Sequence, residues 1–177
     1  MSRRGERLFL GLTLMVMLIL FISSAMTYSQ QTLVPTLNGH RFDWLASWVK
    51  DWSVTYAGRT HSVQVDGSAA FIEFLLRKTA HFGSYLLLGG FAYLGLSRQL
   101  PRPVFRLPVT WLATTGYAAT DEFHQSLTGE RSPLIQDVML DATGALCGIL
   151  LCALIWALVQ QRRQRRQGLA QPMRRLK

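Results

Sequence analysis

Three short polar clusters hold most of the side chains in this chain that could do chemistry: Arg77-Lys78-x-x-His81, Asp121-Glu122-x-His124-Gln125, and Asp137-x-x-x-Asp141 with Arg131 just before it. Arginine and lysine bind phosphate or carboxylate oxygens, arginine in bidentate fashion. Histidine moves protons near neutral pH, and a neighbouring carboxylate can orient it or take the proton itself. His81, Asp121 and His124 are therefore the candidate catalytic groups. The candidate substrate-binding groups are Arg77, Lys78, His81, Tyr85, Asp121, Glu122, Gln125, Arg131, Asp137 and Asp141. No nucleophile–base pair is fixed by spacing, so catalysis and non-catalytic binding both stay open.

A metal centre is not expected. His81, Asp121, His124 and Asp137 are legitimate ligands, but no HxxxH or HxxE pair supports them, and the adjacent Lys78 and Arg77 would repel a cation. No cofactor is implied, and there is no Gly-rich phosphate loop. Cys147 and Cys152 lie about 140° apart on a helix, too far round to bridge, and read as buried small apolar residues.

Helical phase brings the clusters together. Lys78, His81, Tyr85 and Gly89 form one stripe, with Arg77 on its flank. Thr110, Thr114, Tyr117, Asp121 and either His124 or Gln125 form a second. Asp137, Asp141, Gly144 and Gly148 form a third, whose small-xxx-small pair lets a neighbouring helix approach closely. Glu122 points about 100° away from Asp121, so the two acids have different jobs. Facing these stripes inward gives a bundle with a polar funnel at one end.

The elements that carry the stripes are apolar. Leu8–Met26 and Leu107–Thr120 have no charge, Thr79–Ser97 has only His81, and Val138–Gln160 has only Asp141. Runs of this length can cross about 30 Å of hydrocarbon. The fold expected is all-α: a polytopic membrane protein with four transmembrane helices at 8–26, 77–97, 107–125 and 137–160. A cytoplasmic N-terminus (1–7), an outer loop (27–74) and a basic cytoplasmic tail (161–177) complete it. Helix one reads as a retained anchor rather than a cleaved signal peptide.

The chain has 177 residues and a formal net charge of +9. Basic residues cluster before helix one, between helices two and three, and after helix four, which puts both termini in the cytoplasm. Nine of the ten acidic residues then fall at the outer side. The basic excess is an orientation signal that also meets anionic lipid headgroups, not a nucleic-acid surface. In the outer loop, Trp44, Trp48 and Trp52 recur every four residues and read as a short interfacial helix. Ser62–Asp66 reads as a short extended stretch or loop, and Pro101, Pro103 and Pro108 as a turned cytoplasmic connection.

The segment Arg77-Lys78-Thr-Ala-His81-Phe82-Gly-Ser-Tyr85-Leu-Leu-Leu-Gly89 resembles the first motif of the VanZ-like membrane protein family. Asp121-Glu122-Phe-His124-Gln125, Gly129-Glu-Arg131-Ser132 and Asp137-Val-Met-Leu-Asp141-Ala-Thr-Gly144 resemble its second, more specific one. Tyr28-Ser29-Gln30 weakly resembles a further family segment. Ser84 stands where one branch has Glu, and Asp141 where many members have Asn. The family is named for a protein linked to low-level teicoplanin resistance. The resemblance implies a multi-pass protein of the bacterial cytoplasmic (inner) membrane and a residue list, but no reaction. The partners it points to are membrane lipids and a lipid-linked cell-wall precursor or other envelope amphiphile.

A purely structural reading competes. Arg77 and Lys78 could snorkel to headgroups, and Asp141–Lys78 or Asp121–Arg131 could be ion pairs that only hold the bundle together.

Overall fold

The structure, a computed structural model, describes residues 2–38, 42–127 and 133–170. Helix α1 (Arg3–Ser24) starts where the Ser2 hydroxyl accepts the Gly5 N–H at 3.2 Å. It turns Val16, Leu20 and Ser24 inward, at intervals of four, and leaves Leu14, Leu18, Ile19 and Ile22 exposed. Short helices α2 (Tyr28–Gln31), α3 (Val34–Leu37) and α4 (Asp43–Val49) follow. The first of these opens on a capping box in which Thr27 and Gln30 satisfy each other's backbone N–H.

An antiparallel hairpin comes next, β1 (Ser53–Tyr56) with β2 (Arg59–Ser62), in the register Ser53↔Ser62 to Tyr56↔Arg59. Its two turn residues, Ala57 and Gly58, have φ of 52° and 78°. Positive φ at both positions matches the twist of a two-residue hairpin turn. The chain is therefore not purely α. The period-two pattern lies at 53–62, while the residues after Ser62 form α5 (Val63–Asp66), a single helical turn capped by the Ser62 hydroxyl.

Three long helices complete the bundle: α6 (Ser68–Gly95), α7 (Pro103–Ser126) and α8 (Ile135–Ala170). Helix α6 begins well before residue 77 and takes Glu73 with it. Pro103 occupies the first turn of α7, where its missing N–H costs nothing, and Pro108 sits inside that helix rather than in the connection.

The α6–α8 contact is set by glycine. A Cβ at Gly148 would overlap the Leu86 carbonyl, one at Gly144 the Phe82 carbonyl, and one at Gly89 the Ala145 carbonyl. The expected Gly144/Gly148 pair thus faces α6. Tyr85, Leu88, Ala118, Ala145, Val16 and Leu20 form the central core. A second, smaller core lies at the hairpin end, where Val49, Leu45 and Val54 pack on Phe71 and Ile72. Trp44 and Trp48 stay exposed on α4, and Trp52 lies beyond its end, also exposed. Cys147 is exposed and Cys152 half-buried, so neither is the fully buried residue expected; both are free thiols.

Helix α7 is inside out for a protein surrounded by water. It buries Thr110, Thr114, Asp121, Glu122 and Gln125 and exposes Val109, Leu112 and Phe123. Among the described residues, two helices are long and apolar enough to cross a membrane, Arg3–Ser24 and Ile135–Arg162.

Candidate functional site

The polar stripes meet at the hairpin end of the bundle in three linked groups. The innermost joins four helices. Ser24, the last residue of α1, donates from its hydroxyl to Asp121 of α7. Gln125, one turn on, donates to the other Asp121 oxygen at 3.3 Å. His81 of α6 faces Asp141 of α8, with Nδ1 3.5 Å from Oδ2. One ligand atom from each of His81, Asp121 and Asp141 lies within 4.8 Å of the other two. Tyr85, one turn from His81, is fully buried next to them, and its hydroxyl makes no well-aligned hydrogen bond among the described residues.

The second group lies nearer the hairpin. Lys78 pairs with Asp137, and the Tyr56 hydroxyl donates to the same carboxylate oxygen. The Lys78 ammonium also stands 4.4 Å from the centre of the Tyr56 ring. Burial first, and then the Asp137 hydrogen bond, hold the Tyr56 phenol above its ordinary pKa. Glu122 faces elsewhere, accepting the Leu134 N–H at 2.8 Å and so tying α7 to the start of α8.

The third group fastens the segment after α1 to α6. The Glu73 carboxylate takes Arg77 on one oxygen at 2.6 Å. Its other oxygen takes the Thr32 hydroxyl and the N–H groups of Leu33 and Val34, at 2.8, 2.8 and 3.0 Å. Burial alone would raise this carboxyl, but the hydrogen bonds from Arg77, Thr32 and Leu33 outweigh it and hold the pKa below the ordinary value. Arg77 also donates to Gln31 at 3.2 Å and lies 4.7 Å over the Tyr28 ring.

The structure thus gathers His81, Tyr85, Asp121, Gln125 and Asp141 in one group, with Lys78 and Asp137 in a second beside it. His124 turns away and stacks on Phe21 of α1 at 4.6 Å. The pairings differ from those expected: Lys78 is with Asp137, not Asp141, and Asp141 is with His81. Arg131 lies outside the described residues, as do Gly129 and Ser132.

Ser24, Glu73 and Tyr56 were missed. Glu73 stands four residues before Arg77, the spacing of a helical ion pair, and would have been legible had α6 been started earlier. Tyr56 depends on the hairpin, whose signal is an alternating run around Ala57-Gly58.

A cleft of about 370 Å³ opens beside these groups, lined by Ser23, Gln31, Leu33, Glu73, Leu76, Arg77, Ala80 and His81. It has a polar side and an apolar side. A larger cleft, about 490 Å³, lies at the opposite end among Arg3, Glu6, Arg7 and Arg98 and touches none of the clusters.

A family model described as VanZ/LLP1 matches residues 9–156, a stretch that includes all three groups. No curated protein and no solved structure matches the chain.

Proposed function

The chain belongs to the VanZ/LLP1 family, and from that premise we propose that it is a four-span envelope membrane protein whose outward-facing polar site binds a lipid-linked or phosphate-bearing amphiphile. The inside-out burial of α7 supports the spans: its polar face is buried and its apolar face is free for lipid. The spans are 8–26, 77–97, 107–125 and 137–160, and both termini are cytoplasmic by the distribution of basic residues.

The observation that carries the binding reading is the cleft between Arg77 and His81. Leu33, Leu76 and Ala80 offer an apolar wall to an acyl or isoprenoid chain, while Arg77 and His81 offer donors to a headgroup. The Arg77 contacts to Glu73 and Gln31 fix the guanidinium rather than exhaust it, since arginine carries five N–H donors. His81, at the cleft wall, presents its imidazole to a phosphate or hydroxyl placed there.

The test is binding of a lipid-linked cell-wall precursor to the protein in lipid nanodiscs. Loss of a charged hydrogen bond costs about 1.5–3 kcal/mol, so Arg77→Ala should weaken binding roughly tenfold to a hundredfold. Susceptibility to teicoplanin in a sensitive host, compared with His81→Ala and Asp121→Ala at matched membrane levels, tests the link to resistance.

A specific observation also favours a second reading, in which the site is structural and its partners are proteins. Arg77–Glu73, Lys78–Asp137 and His81–Asp141 are all paired across or along the bundle. Under this reading precursor binding is absent and charge-swapped pairs are fully active.

A further inference from the structure

The innermost group sets two acidic side chains against one imidazole. Asp121 and Asp141 come from different helices and are 4% and 3% exposed. The nearby cations are already engaged, Lys78 by Asp137 and Arg77 by Glu73. His81 is the one basic side chain paired with either carboxyl group among the described residues, so two buried acids share a single imidazole, a poorly compensated arrangement.

Two further atoms point to a missing partner. Asp141 Oδ1 is buried and accepts no hydrogen bond among the described residues, and the Tyr85 hydroxyl, fully buried, makes none that is well aligned. Tyr85 lies beside both Asp121 and Asp141, and Asp121 is near enough to its hydroxyl for a weak, poorly aligned hydrogen bond. Buried polar atoms are normally well satisfied, so the orphaned Asp141 Oδ1 and the poorly satisfied Tyr85 hydroxyl, both facing this group, mark a place for a ligand.

We propose that His81, Asp121 and Asp141 bind one divalent transition-metal cation, of which zinc is the reference case. An imidazole nitrogen with two carboxylate oxygens suits such an ion better than magnesium or calcium, which prefer oxygen ligands throughout. The 3.5 Å between His81 Nδ1 and Asp141 Oδ2 fits neighbouring ligands on an ion with bonds of about 2.0–2.2 Å. The wider separations, up to 4.8 Å, must close. Asp141 can swing to close them, because nothing holds its Oδ1 among the described residues. Asp121 is held in place by Ser24 and Gln125, the kind of outer support that metal-binding carboxylates have. The repulsion expected from Lys78 and Arg77 is reduced, because each is paired with a carboxylate of its own. The three ligands come from three helices, so no local spacing announces them. The site does not depend on which amphiphile the cleft takes, although His81 borders both.

The test uses full-length protein purified in detergent without a histidine tag, stripped by chelator and titrated with Zn²⁺ and, separately, Mn²⁺. Calorimetry and elemental analysis should give one ion per chain, and the ion should raise the melting temperature of the wild type. Asp121→Asn and Asp141→Asn keep side-chain size and should each weaken binding by roughly tenfold or more. Asp66→Asn, at the hairpin, should bind as wild type does. The proposal is overturned if folded, monodisperse wild type takes up neither ion in stoichiometric amount. It is equally overturned if the Asp121→Asn/Asp141→Asn double variant binds as wild type does.

Discussion

Ser24 ends the first helix and Asp121 lies near the end of the third long one, yet the Ser24 hydroxyl donates directly to the Asp121 carboxylate in a place almost closed to water. The bond closes the bundle at the hairpin end together with the Gln125 amide, which donates to the same Ser24 hydroxyl at 3.3 Å, and the stack of His124 on Phe21. Removing the donor takes the closest hydrogen bond from a buried carboxylate and leaves it the longer Gln125 contact. Ser24→Ala should therefore cost about 1–3 kcal/mol. Thermal unfolding in detergent checks this, and an unchanged midpoint would mean that Asp121 is satisfied in another way.

The glycine contacts between α6 and α8 make a sharper contrast. At Gly148 an added Cβ meets the Leu86 carbonyl, and backbone on both sides prevents easy relief. Gly148→Ala should destabilise by about 1–3 kcal/mol or more, as overpacked cores do. Gly83 and Gly116 lie in the same bundle with nothing near the new methyl group. Alanine there should be neutral or stabilise by up to about 1 kcal/mol through helix propensity. Melting curves of the three variants side by side decide the matter, and equal effects would refute the close helix approach.

Glu73 gives the structure an acid-sensitive joint. Its folded pKa lies below the ordinary 4.5, so at moderately acid pH the native protein binds fewer protons than the unfolded chain. Its contribution is complete above 4.5 and is lost as pH falls through the lowered folded value. Wild type should therefore lose stability on the acid side, where Glu73→Gln loses less. The variant should be less stable at neutral pH, because Arg77 is left without its carboxylate, and the gap should narrow as pH falls. Melting temperatures across the acid range measure it, and parallel curves would remove Glu73 from the account.

The helical phases of Lys78, His81, Asp121 and Asp141 were readable in the sequence because each stripe depends only on local geometry. Which acid met which base was not, since that depends on the offset between helices. The Gly144/Gly148 approach to Phe82 and Leu86 sets that offset between α6 and α8. Glu73 is hidden because it precedes the apolar run at Thr79, whereas α6 itself starts at Ser68. The hairpin was hidden for another reason: Ala57-Gly58 is a weaker turn signal than Asn-Gly, and Ala57 must take a φ of 52° that only its surroundings enforce.

Lys78, Asp137 and Tyr56 give the test that separates chemistry from scaffolding. The Lys78 and Asp137 side chains are 21% and 19% exposed, so breaking their pair should cost less than the 3–5 kcal/mol of a fully buried one, about 1–3 kcal/mol. Tyr56→Phe keeps the ring beside the ammonium and loses only the hydroxyl bond to Asp137, worth about 1.5–3 kcal/mol when the acceptor is charged. Lys78→Asp places two carboxylates together and should be the least stable single variant. Adding Asp137→Lys restores an opposite pair across the same gap and should recover at least half of the lost stability. Precursor binding or glycopeptide protection in that double variant then reads out the role. If the pair works on a ligand, stability returns and activity does not, because the positive group has moved to the other helix. If both return together, the pair is structural and the binding site must rest on Arg77 and His81 alone.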